Sequence, residues 1–81
     1  MKDYVATFHT HLSALMTHRN LKGVGVQARM MPVFRKLSSS CGTCVVYTAD
    51  DPCLKEMDED VEGVYEITGE EEYRLLSRNE S

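Results

Sequence analysis

The succession of strand and helix signals along the chain, β-α-β-loop-β-α-β, predicts an α+β fold. Three observations carry it. Residues alternate with a two-residue period at the N-terminus, an amphipathic stretch closed by glycine follows at once, and a strong strand signal from Thr43 runs into a capped helix start at Asp51 and Pro52. In one layer these elements make a ferredoxin-like split βαβ sandwich: a four-stranded antiparallel sheet with two helices on one face. The chain has 81 residues, 42% apolar and 27% charged, so residues 1–81 suit a single globular domain around one core.

Tyr4, Ala6 and Phe8 alternate with Val5, Thr7 and His9, which reads as the first strand. Thr10 is then an N-cap. HLSALMTHRNLKG puts Leu12, Leu15 and Met16 on one helical face, places Arg19 and Lys22 where they complement the helix dipole, and ends on Gly23 as a left-handed stop. Val26, Ala28 and Met30 alternate in a second strand that must finish by Pro32, because proline has no N–H for the ladder. PVFRKLSSSCG follows as a loop of about ten residues, longer than the common four to six, and long connections in small domains tend to carry function.

TCVVYT, Thr43 to Thr48, is the strongest strand signal, rich in β-branched and aromatic residues. From Asp51 a short acidic helix is expected, with Leu54, Met57 and Val61 as its buried stripe, broken at Gly63. GVYEI then supplies the fourth strand. The charged tail from Gly69 to Ser81 is expected to form a terminal helical turn using Tyr73, Leu75 and Leu76. The second sheet face would stay partly open, a surface for a homodimer or another partner.

The formal net charge is −4, which argues against a general nucleic-acid binder, since binding phosphates by counterion release needs a basic surface. Charge is uneven: Asp50 to Glu72 holds eleven carboxylates and one lysine, whereas the first half carries Arg19, Lys22, Arg29, Arg35 and Lys36. No stretch approaches the roughly 18 apolar residues of a membrane span, and MKDYVATF lacks the apolar centre of a signal peptide. The chain is therefore expected to be cytoplasmic and without membrane contact. Three cysteines with one close pair suit a reducing compartment, with free thiols at rest.

Cys41 and Cys44 form a CxxC. As metal ligands they are half of a tetrahedral set, which Cys53, His9, His11 or His18 would have to complete, so a mixed Cys/His site is an alternative reading and no metal is assigned. A thioredoxin-type CxxC opens a helix, whereas this one runs into a strand. Alternation puts Cys44 on the face of Val46, either as a packing residue or as a resolving thiol. Cys53, among aspartates, has a destabilised thiolate and reads as structural. Cys41 sits beside Gly42, behind Ser38, Ser39 and Ser40 and close to Arg35 and Lys36. Hydroxyls, amides and a guanidinium each favour a thiolate able to attack a sulfur or selenium electrophile. The plainer alternative is a surface loop whose serines make ordinary turns.

PVFRKLSSSCG resembles the signature of the selenium/sulfur (Se/S) carrier protein-like family, a small bacterial domain of unknown function: Pro32, Arg35, Leu37, Ser38, Cys41 and Gly42 match its pattern of proline, arginine, aliphatic, serine, cysteine and glycine. The strand ending in TFHT, its helix and the strand running into Pro32 are similar too. Phe34 stands where the family usually has a second proline, and a cysteine at position 44 is not required. The resemblance implies a carrier or binding protein rather than a stand-alone enzyme, with no cofactor. Cys41 would accept sulfur or selenium as a persulfide or selenosulfide from a cysteine desulfurase-like or selenium-handling donor. Arg35 and the Ser38–Ser40 and Gly42 segment would stabilise its anion, and Cys44 would be a candidate resolving thiol. The rival class is a non-catalytic module that docks through its acidic helix or open sheet face.

Overall fold

A computed structural model describes residues 1–79. Its order is β1 (Lys2–Phe8), α1 (His11–Gly23), β2 (Gln27–Pro32), β3 (Thr43–Ala49), a 3-10 turn (Leu54–Glu56), β4 (Val61–Gly69) and β5 (Glu72–Arg78). The strands form one antiparallel sheet in the order β2-β3-β1-β4-β5. The predicted four-stranded, two-helix sandwich is therefore corrected: among the described residues there are five strands and one α-helix.

The acidic helix fails for a local reason. The Asp51 carboxylate accepts the Cys53 N–H two residues on, an Asx turn rather than a helix cap, and Cys53 takes a left-handed φ of 53°. Only one turn of 3-10 helix follows before Met57 becomes extended. A segment of about ten residues with four carboxylates between Glu56 and Asp60, and no buried residue in its single turn, could not hold a longer helix, and the crossover from β3 to β4 stays irregular. At the C-terminus the expected helical turn is replaced by β5, which completes a hairpin through Glu71, a non-glycine residue at φ 57°. Of that predicted tail, Glu80 and Ser81 lie outside the described residues.

Thr10 caps α1 as its sequence dictates, its hydroxyl accepting the Ser13 N–H at 3.0 Å. The helix runs through Gly23, and the left-handed residue after it is Gly25, φ 84°, not Gly23. The buried face also differs from the apolar stripe. Ser13, Ala14, Thr17 and Leu21 face the sheet while Leu12, Leu15 and Met16 are exposed. Phe8, Tyr4 and Tyr47, the last two stacked at 5.3 Å, fill much of the space over the sheet, so the first turns of the helix approach with the small Ser13, Ala14 and Thr17, and only Leu21 reaches in with a large side chain. The polar atoms this buries are satisfied by the crossover: the Ser13 hydroxyl donates to Asp58 at 2.8 Å, and the Asp58 N–H donates to Thr17 Oγ1 at 2.9 Å.

The opposite sheet face is not simply open. Val5, Thr7 and Cys44 lie on it and are buried, because the β2–β3 loop folds across it and Phe34 stacks on Tyr73 of β5 with centroids 5.7 Å apart. Further along the same face Asp3, Gln27 and Arg29 remain exposed and bound a shallow groove of about 490 Å³. No helix among the described residues is long and apolar enough to cross a membrane.

Candidate functional site

Two turns shape the β2–β3 loop. The Leu37 N–H donates to the Phe34 carbonyl at 3.0 Å, which puts Arg35 and Lys36 at the centre of the first turn and in solvent. The Gly42 N–H donates to the Ser39 carbonyl at 3.1 Å, with Ser40 and Cys41 at the centre of the second. Gly42 has φ 72°, which any side chain would strain, although the space around it is open. The Val33 N–H then donates to the Gly42 carbonyl at 3.0 Å and closes the loop at its neck.

Two side chains, Ser39 and Glu62, tie the second turn down. The Ser39 hydroxyl lies 2.8 Å from the Phe8 carbonyl, 3.1 Å from the Thr43 carbonyl and 3.5 Å from Cys41 Sγ. Glu62 accepts the Ser40 N–H at 2.7 Å and the Ser40 hydroxyl at 3.2 Å. Glu62 can do so because the β1–β4 register shifts between Thr7 and Phe8, leaving it as the extra residue of a β-bulge that sends its carboxylate towards the loop. His9 Nδ1 stands 3.8 Å from the same carboxylate, while Nε2 is buried without a hydrogen-bond partner among the described residues.

Cys41 is partly buried at the end of the sheet, and its sulfur is 3.5 Å from the Thr43 carbonyl. Ser39 has one proton and two carbonyls competing for it, so a neutral Cys41 donates to Thr43 or to Ser39 Oγ. An ionised Cys41 reverses this: the Ser39 hydroxyl must turn away from a carbonyl and donate to sulfur. The turn thus contains a donor that can follow the charge on the thiol.

The other sequence candidates lie elsewhere. Cys44 is buried beneath the loop with Sγ 3.6 Å from the Pro32 carbonyl, and burial pushes its thiol up to about 11. It is thus held protonated at neutral pH, a placement that favours packing over resolving chemistry. Cys53 donates to the Asp51 carbonyl at 3.4 Å, and its thiol is raised first by burial and then by the Asp51 charge. Arg35 makes no ion pair or side-chain hydrogen bond among the described residues, with Cys41 or otherwise. Ser38 is exposed and borders a polar depression of about 230 Å³ with His9, Glu62, Tyr65 and Arg78. So Ser39, Ser40, Cys41 and Gly42 come together, whereas the side chains of Arg35, Ser38 and Cys44 make no hydrogen bond or ion pair with the sulfur.

The histidines are dispersed. His18 Nε2–H donates to the Ala28 carbonyl at 3.1 Å and His11 Nδ1 lies 3.5 Å from Thr43 Oγ1. Among the described residues no three His, Cys, Asp or Glu side chains converge as a ligand set, so the mixed Cys/His alternative finds no cluster. Sequence reasoning considers His9 only as a candidate metal ligand, and it misses Glu62 altogether. Glu62–Gly63 at the head of a strand is the one local sign of a bulge, and nothing local says which loop it grips.

Residues 3–73 match the family model described as putative Se/S carrier protein-like, a span from β1 into β5. No curated protein and no solved structure matches the chain.

Proposed function

The chain belongs to the Se/S carrier protein-like family, and from that premise we propose that it carries a sulfur or selenium atom on Cys41. In the loading step the Cys41 thiolate attacks the terminal sulfur of a donor persulfide, R–S–SH. The Cys41–S bond forms, the R–S to terminal-sulfur bond breaks, R–S⁻ leaves, and the sulfane sulfur keeps its oxidation state. An acceptor thiolate unloads it by the same exchange, and selenium would travel as the corresponding selenosulfide. Ser39 stabilises the sulfur anion by turning its hydroxyl. Ser40 and Gly42 hold the turn, and Arg35 and Lys36 attract anionic donors from the loop's outer tip. Cys44 packs beneath the loop and takes no part in the exchange.

The observation that carries this reading is the placement of one thiol of three: Cys41 is partly exposed and within reach of a hydroxyl able to reorient, whereas Cys44 is buried and Cys53 faces aspartate. Incubation with a cysteine desulfurase and cysteine, followed by peptide mass spectrometry, tests it. One added sulfur atom on Cys41, absent from Cys41→Ser, is expected. Unmodified Cys41 with a catalytically active donor present would overturn the reading.

A further inference from the structure

Resting on that reading, the structure assigns α1 a second role: we propose that its exposed face is the surface on which the donor protein docks, and that the donor presents an apolar patch rimmed by carboxylates.

The stripe is unusual in what it exposes. Leu12, Leu15 and Met16 share one face at i, i+3 and i+4 and are 66%, 38% and 42% exposed, while the small and polar Ser13, Ala14 and Thr17 are buried in their place. Adjacent exposed apolar residues on a helix mark a surface that something else covers.

Charge says what that partner looks like. The chain carries a net charge of −4, yet α1 holds no aspartate or glutamate, and His11, His18, Arg19 and Lys22 lie along it. A carboxylate-rimmed partner is attracted to this helix and repelled by the crossover, which orients the encounter. A second copy of the chain would set this basic helix against its own like charge, which argues against self-pairing through the stripe.

Position links the stripe to the thiol. The stripe begins one residue after His11, whose ring touches Thr43, and the Thr43 carbonyl is 3.5 Å from Cys41 Sγ. Cys41 also packs against the helix-side core, so a protein seated on Leu12 and Leu15 meets the sulfur at its edge.

The test compares two donors on the same protein: a persulfide-loaded cysteine desulfurase, and N-acetylcysteine amide persulfide, which needs no docking. Leu15→Glu and Arg19→Glu are expected to slow loading of Cys41 by the enzyme by about tenfold or more, leaving loading by the small persulfide unchanged. Loading of the wild type by the enzyme should also slow with added salt. Leu75→Glu, at an equally exposed leucine on β5, should change neither reaction. Equal enzymatic loading of wild type and both variants would overturn the docking face while leaving the carrier reading intact. Slowing with both donors would also overturn it, showing local distortion instead. Loading of the wild type by neither donor, or by the small persulfide alone, would remove the carrier reading, and the docking face with it. If sedimentation shows that the α1 variants dissociate a dimer, the stripe is a self-interface and the proposal fails.

Discussion

Glu62 and Ser40, 22 residues apart in the chain, are joined by two hydrogen bonds through the two carboxylate oxygens, one from the Ser40 N–H at 2.7 Å and one from its hydroxyl at 3.2 Å. A bulge residue of β4 thereby anchors the turn that carries Cys41. The position of the thiol depends on a strand that the loop's own sequence does not mention.

Glu62→Ala should release that turn. Hydrogen bonds to a charged group contribute roughly 1.5–3 kcal/mol when buried and less near water, so a loss of about 1 kcal/mol is expected. Amide hydrogen exchange at Ser40 is the sharper measurement. It should accelerate in the variant while core amides such as Val45 keep their protection, and unaltered protection at Ser40 would show that the pair does not hold the loop.

Ser39→Ala removes the hydroxyl shared by the Phe8 and Thr43 carbonyls and by Cys41. Two partly buried carbonyls lose a donor, at a cost of about 1–2 kcal/mol in unfolding free energy. The variant should also react more slowly than wild type with N-acetylcysteine amide persulfide at pH 7, because the sulfur anion loses the donor that turns towards it. Ser38→Ala, at an exposed position, should match wild type in both assays, and equal slowing in the two would contradict the role given to Ser39.

Burial sets the pH behaviour of Cys44. Its thiol is raised from an ordinary value of 9.0 to about 11 in the folded chain, so the folded state keeps a proton that the unfolded state has already released. Stability from this group is complete below about pH 9 and is lost as pH rises through about 11. Denaturant midpoints measured from pH 8 to 11 should therefore fall more steeply for wild type than for Cys44→Ala. Parallel curves would mean that the thiol ionises freely.

Phe34 closes the loop over Cys44 by stacking on Tyr73. Phe34→Ala should cost about 1–3 kcal/mol, since the ring is only partly buried. Alkylation of Cys44 by iodoacetamide, followed by peptide mapping, should quicken at denaturant-free conditions, with Cys53 as an internal standard. An unchanged rate at Cys44 would show that other parts of the loop shield it.

Much of the fold was legible because its signals are local. Tyr4, Ala6 and Phe8, the Thr10 cap, the stop at Pro32 and the run TCVVYT each declare an element through period, capping or a missing N–H, and all four elements are present. The errors fall where a local preference competed with a distant partner. Asp51 is as good an Asx-turn residue as a helix cap, and which one it becomes depends on what packs beneath the next ten residues. Tyr73, Leu75 and Leu76 form a strand because β4 offers an unpaired edge, a fact that no window of the tail contains. Leu12, Leu15 and Met16 look like a core stripe by period alone, but the aromatic rings of β1 and β3 had already taken the volume they would have filled.

The same division runs through the site. By itself the sequence determined that Cys41 lies in a hydroxyl-rich turn closed by glycine, because serine, cysteine and glycine in that order restrict the backbone within a few residues. Only the tertiary structure decided which groups reach the sulfur: it brought Phe8, Thr43 and Glu62 to the turn, buried Cys44 beneath Phe34 and left Arg35 in solvent. The physical reason is that a turn's shape follows from torsions of adjacent residues, whereas hydrogen-bond partners and burial are set by sheet register and packing across the whole chain.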